Sequence, residues 1–242
     1  LTNLSLFYDL KYDCMATQLQ NYVSKIEFDS SHKKVLDILN DCQNVLDIGC
    51  GDGHVANALM GLGKKVTGID QFVPSRKMDD FIQFNLDDGL PDIDYSKYDA
   101  ILLLDIIEHL KSPEDFLLSL HESGITTNTK IIISTGNIGF IISRLSHLFG
   151  MFNYGKRGIL DLTHHRLFTM SSCKKLVRQT NFEINEIYGV PVPFPLAFGN
   201  NIVSKVLLSI NKTLIAFNKR LFSFQFIVTA NSKPSLQLLL YN

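Results

Sequence analysis

One segment constrains this chain more than any other, Val45 to Leu59, which reads VLDIGCGDGHVANAL. A short apolar run containing Asp47 leads into a loop with Gly49, Gly51 and Gly53, and helical periodicity resumes at His54. Glycines spaced in this way let the backbone turn tightly and come closer to a ligand than any Cβ allows. The N-terminus of the helix that follows presents unpaired N–H groups to a polar or anionic ligand. The segment therefore predicts a strand, a ligand-binding loop and a helix, in that order.

The rest of the chain repeats the strand and helix texture. NVLDIG is followed by a helix from about His54 to Leu62 and then by KKVTGID. FIQFNL (Phe81 to Leu86), YDAILLLD (Tyr98 to Asp105) and KIIISTG (Lys130 to Gly136) are apolar enough to be central strands covered on both faces. Pro113 after the cap residue Ser112 starts another helix, and one runs from Ser171 to Thr180. FEINEIYGV and the alternating LFSFQFIVTA close the series, the latter as an edge or antiparallel strand. These runs predict an α/β fold, a doubly wound, Rossmann-like and mostly parallel seven-stranded sheet with an antiparallel last strand.

Composition narrows the function. With 242 residues, 45% of them hydrophobic, the chain can bury a core of its own, and residues 1–242 are expected to form one domain. Lys and Arg total 23 against 24 Asp and Glu, so the broad basic footprint of a nucleic-acid binder is missing. Cys14, Cys42, Cys50 and Cys173 form no CxxC pair and read as reduced thiols. No apolar run reaches the roughly 18 residues of a membrane span. A cytoplasmic location is expected, although Leu1 leaves the true N-terminus open.

Asp47, two residues before Gly49, is placed to reach the ammonium of an amino-acid moiety. Asp70 ends the second strand about 20 residues after the glycine loop, where an acid accepts hydrogen bonds from ribose hydroxyls. At the end of the third run Asn85 or Asp87 can accept from an adenine amino group, with the Leu86 backbone against the ring. A nicotinamide-binding loop would carry glycine where His54 stands, and no Tyr-x-x-x-Lys pair is present. That oxidoreductase reading is the weaker one. Asp87 and Asp88 find no third ligand at a metal-site spacing, so no metal is expected.

Residues from about 44 to 136 resemble the class I S-adenosylmethionine-dependent methyltransferases. VLDIGCGDG is similar to their first motif, GID to their ribose-binding acid, and YDAILLLDIIEHL to their fourth-strand segment. Further on, NYGKRGILDLTHHRLFTMSSCKKLVRQTNFEI with PVPFPL resembles a branch found in polysaccharide and glycan loci, related to the quinone-biosynthesis O-methyltransferases. The resemblance implies that Asp47, Gly49, Cys50 and Gly51 hold the methionine part of the cofactor S-adenosylmethionine and Asp70 its ribose. It places Asn85 and Leu86 beside adenine and Asp105 beneath the sulfonium. Asn85 departs from the Asp common at that position. Tyr8 and Tyr12, in an N-terminal helical segment of residues 1–40, would close as a lid. The segment reads DIIEHL where base-nitrogen methyltransferases carry an Asn/Asp-Pro-Pro-aromatic motif, so a nucleic-acid substrate is not expected.

Methyl transfer needs positioning, exclusion of water and, for a hydroxyl acceptor, a base. His164 is the first candidate base and His109 the second, with Asp161 and Arg166 flanking His164. Residues 137–170 form an insertion expected to build the acceptor side, where Lys156 and Arg157 can meet an anionic group. The implied acceptor is a small molecule, sugar or glycan. Residues 201–220 read as an amphipathic helix with Val203, Val206, Leu207, Ile210, Leu214 and Phe217 on one stripe and Lys205, Lys212 and Lys219 opposite. Packing of the stripe on the sheet is the simplest account. Contact with an anionic membrane and a homodimer seam are the alternatives. A protein that binds the cofactor without catalysis also fits the motifs.

Overall fold

The computed structural model describes residues 30–234. Seven strands form one sheet in the order β3-β2-β1-β4-β5-β7-β6. They are β1 Asn44–Ile48, β2 Lys65–Asp70, β3 Asp80–Gln83, β4 Ala100–Leu104, β5 Lys130–Gly136, β6 Phe182–Val190 and β7 Gln225–Ser232. The first five pair in parallel, and β7 runs antiparallel to both β5 and β6. The helices are α1 Ser31–Ile38, α2 His54–Gly61, α3 Pro113–Glu122, α4 Ile141–Leu148, α5 Met170–Gln179, α6 Phe194–Phe198, α7 Ile202–Phe217 and α8 Lys219–Phe222.

Alternate residues of the central strands feed two cores, one on each face. Leu46, Ile101, Leu103, Ile131 and Ile133 pack with Phe116, Leu117 and Leu120 of α3 and with Leu176 and Val177 of α5. Val45, Ala100, Leu102 and Ile132 pack with Val35 of α1 and with Val55, Ala56 and Leu59 of α2. All five residues of β4 are buried, which is why its sequence is apolar without a break. Successive strands step outward from β1 to β3, and the chain then returns to place β4 on the other side of β1. An open α/β sheet binds ligands where its order reverses, beyond the carboxyl ends of the strands. Here that point lies between Ile48 and Leu104.

Three expectations change. The run from Phe81 to Leu86 is no central strand: β3 covers only Asp80–Gln83, lies at the sheet edge and is partly exposed. Asn85 interrupts it by capping a short 3₁₀ turn, accepting from the Asp87 N–H at 3.1 Å. The closing strand β7 is antiparallel, as expected, and lies buried between β5 and β6. The helix expected over 201–220 stops at Phe217, where Asn218 breaks it and caps α8. Its apolar stripe does not pack on the sheet. Ser204, Asn211 and Ile215 face inward, while Val203, Val206, Ile210 and Phe217 are 55%, 53%, 53% and 87% exposed.

Candidate active site

The glycine loop closes over the reversal point. Gly49, Gly51 and Gly53 have φ of 74°, 54° and 75°, the left-handed region that other residues avoid. A Cβ on Gly49 would lie 2.0 Å from Ile106 Cδ1, so position 49 is closed to any side chain twice over. Asp70 fastens the loop to β2. Its Oδ2 accepts from the Gly51 N–H at 2.9 Å and its Oδ1 from the Phe72 N–H at 3.0 Å. The acid read as a ribose acceptor thus also shapes the glycine loop.

Asp47 is 2% exposed at the carboxyl end of β1. Burial first, and then the Asp70 charge, push its carboxyl up to about 7. Burial also raises Asp70, against the pull of its backbone hydrogen bonds. Two acids so placed favour a cationic ligand, which would lower both again.

Asp105 follows β4 with a φ of 54°, unusual for a residue with a side chain. Its Oδ1 accepts from the Ser134 hydroxyl at 2.8 Å and its Oδ2 from the Gln225 amide at 3.0 Å. β4, β5 and β7 therefore meet at one carboxylate. Three residues on, Glu108 is 3% exposed, and its Oε2 has no hydrogen-bond partner. Burial and the Asp105 charge hold Glu108 well above the usual carboxylate range.

His109 and His164 meet edge to face with ring centroids 4.7 Å apart. Their Nδ1 atoms lie 3.2 Å from the Thr163 carbonyl and 3.0 Å from the Ile159 carbonyl. A carbonyl can only accept, so both Nδ1 atoms carry the proton in the neutral rings and both Nε2 atoms keep a lone pair. Burial, then the neighbouring His164, push His109 down to about 4. It is a neutral ring at physiological pH and a poor proton acceptor. Asp161 folds the loop that carries His164 by accepting from the Thr163 N–H at 2.8 Å and its hydroxyl at 2.7 Å. Arg166, which flanks His164 in the sequence, pairs with Glu114 at the surface, and Asp87 pairs with Lys111 at 2.8 Å.

Asp47, Gly49, Cys50, Gly51, Asp70, Asn85, Leu86, Asp105, His109 and His164 all line one cavity of about 930 Å³. Tyr8 and Tyr12 lie outside the described residues. Sequence reasoning gave no role to Glu108 or Gln225, which also line it. The E-H pair after the fourth strand marks Glu108, but Gln225 reaches the site only because β7 is inserted beside β5, which no local motif announces. Around this cavity Asp47, Asp52, Asp70, Asp87, Asp105, Glu108 and Asp161 stand against Lys111 and Arg157. Such a lining suits a cofactor carrying an ammonium and a sulfonium, whose charges favour the ionised form of the raised carboxyls. Among the described residues no group of three His, Cys, Asp or Glu is arranged to hold a metal ion.

Sheet order, glycine loop and acidic crevice together define a class I S-adenosylmethionine-dependent methyltransferase domain. Residues 16–187 match a family model described as a methyltransferase domain, and the chain belongs to that family. It is 30% identical over 159 residues to a ubiquinone biosynthesis O-methyltransferase of Rickettsia typhi, covering 60% of this chain and 62% of that protein. To the mitochondrial enzyme of the same name from Schizosaccharomyces pombe it is 23% identical over 164 residues, 61% of this chain and 58% of that one. The chain thus spans about three fifths of these relatives' lengths. A S-adenosylmethionine-dependent methyltransferase from Archaeoglobus fulgidus has the same fold, with a TM-score of 0.55 at 21% identity over 86% of this chain and 97% of its own. So does the 1,6-didemethyltoxoflavin-N1-methyltransferase of Burkholderia thailandensis, solved with its substrate and S-adenosylhomocysteine. Its TM-score is 0.60 at 14% identity over 95% of this chain and 90% of its own.

Proposed function

We propose that the protein transfers a methyl group from S-adenosylmethionine to a hydroxyl of a small-molecule acceptor, with His164 as the general base. The observation that carries the base assignment is the Nδ1 contact of His164 with the Ile159 carbonyl, which leaves Nε2 as an acceptor in the same cavity as the glycine loop. Bound here, the cofactor supplies an activated methyl group on a good leaving group. The chain supplies the rest. Asp47 holds the amino-acid end beside the glycine loop, Asp70 the ribose, Asn85 and Leu86 the adenine, and Asp105 the environment of the sulfonium. His164 takes the hydroxyl proton, and His109 packs against its ring as a neutral neighbour.

Oxygen as the methylated atom is supported by the names of the relatives, which are O-methyltransferases. A small acceptor is also what the Burkholderia structure holds. A sugar or glycan hydroxyl is the narrower reading, suggested by the resemblance of Asn153 to Ile184 and Pro191 to Leu196. The test is turnover of radiolabelled S-adenosylmethionine against phenols, catechols and free or nucleotide-linked sugars. One acceptor class should take label, and His164→Ala should lower kcat by about 10²- to 10⁴-fold with S-adenosylhomocysteine affinity unchanged. A variant as active as the parent overturns the base assignment. Labelling of nitrogen in a compound that also offers a hydroxyl overturns the O-methylation.

A further inference from the structure

The apolar stripe of α7 faces outward, and it is not isolated. Next to it, α6 exposes Leu196 and Phe198 at 45% and 59%, and Leu196 also lines the active-site cavity. From there Ile202, Val203, Val206, Ile210, Leu214 and Phe217 carry exposed apolar surface along the helix, the last five at spacings of three and four residues that keep them on one face. Exposed apolar surface continuous over two helices marks a docking site rather than scattered surface residues.

Charge selects the partner. Glu186 is the last acidic residue of the sequence, while Lys205, Lys212, Lys219, Arg220 and Lys233 follow it. At the Phe217 end of the stripe a groove is lined by Lys174 and Arg178 of α5 and by Lys219 and Arg220 of α8. Lys174 is lowered by burial and then by Arg220, Arg178 and Lys219, so these cations crowd one another. The one acid in the groove, Glu186, accepts from the Tyr188 hydroxyl. A cation cluster beside an exposed phenyl ring fits a phosphate-bearing interface, with apolar side chains below the headgroups and Arg and Lys among them.

We propose that the outer face of α6 and α7, with the cation-lined groove beside Phe217, docks on a bilayer that carries anionic phospholipid headgroups. Docking sets the Leu196 wall of the active-site cavity toward the lipid. Neither the stripe nor the groove belongs to the cofactor site, so the proposal does not depend on which acceptor is methylated.

The full chain is sedimented with phosphatidylcholine vesicles, with and without phosphatidylglycerol. The parent should bind the anionic vesicles, release them as salt rises, and leave pure phosphatidylcholine in solution. Ile210→Ser/Phe217→Ser and Lys174→Gln/Arg178→Gln should each weaken binding at least tenfold while keeping the parent's circular dichroism and melting temperature; these are exposed positions or groove positions outside the cofactor site. No binding by the parent, equal binding to neutral vesicles, or full binding by both folded variants overturns the proposal. So does a stable dimer in analytical ultracentrifugation that Ile210→Ser/Phe217→Ser dissociates, since the face would then be a subunit seam.

Discussion

Asp47 shows how a single buried carboxyl links stability to ligand binding. Its pKa is about 7 in the folded chain against an ordinary value of 3.8. Because the folded state binds the proton more tightly, the stability of the ligand-free protein falls as pH rises from about 4 to about 7 and stays low above that. A bound ammonium stabilises the ionised form and reverses the preference. Two outcomes are expected. Asp47→Asn should make the ligand-free protein more stable at pH 8, on the order of a few kcal/mol in urea denaturation, with little change at pH 4. In the parent, S-adenosylhomocysteine should bind more tightly at pH 8 than at pH 6, with proton release seen as a buffer-dependent heat. A flat pH response in both experiments would show that Asp47 is ionised without a ligand.

At the scale of elements, Asn137 joins the parallel half of the sheet to its antiparallel end. It is fully buried after β5, donates to the Arg220 carbonyl at 3.1 Å and the Ser223 carbonyl at 2.8 Å, and accepts from the Gly139 N–H at 3.0 Å. Asn137→Ala strands the buried Ser223 carbonyl, the Arg220 carbonyl and the Gly139 N–H, and a loss of roughly 1–3 kcal/mol is expected by denaturant unfolding. A loss below about 0.5 kcal/mol would mean that the α8 to β7 corner holds without it. This corner was also the least legible part of the sequence. β1, β4, β5 and the glycine loop declare themselves because unbroken apolar runs and left-handed glycines are local signals. The entry of β7 beside β5 and the meeting of His109 with His164 depend on residues more than fifty positions apart, and the outward turn of the α7 stripe on contacts made outside the helix. Periodicity located the α7 stripe but not the side it faces, because the buried face is held by Ser204 and by Asn211, which accepts from the Val192 N–H at 2.9 Å.

For the whole molecule, the sheet reversal gathers into one cavity the glycine loop, a set of acids and a pair of histidines. Among the described residues no helix is long and apolar enough to cross a membrane. This crevice is built for S-adenosylmethionine. The decisive experiment is calorimetric titration of the full chain with S-adenosylhomocysteine and, separately, with NAD, with Asp70→Ala as the control. One site of micromolar affinity for S-adenosylhomocysteine, at least tenfold weaker in Asp70→Ala, and no heat with NAD are expected. Binding of NAD, or no binding of S-adenosylhomocysteine by the folded chain, would contradict the assignment of the cofactor.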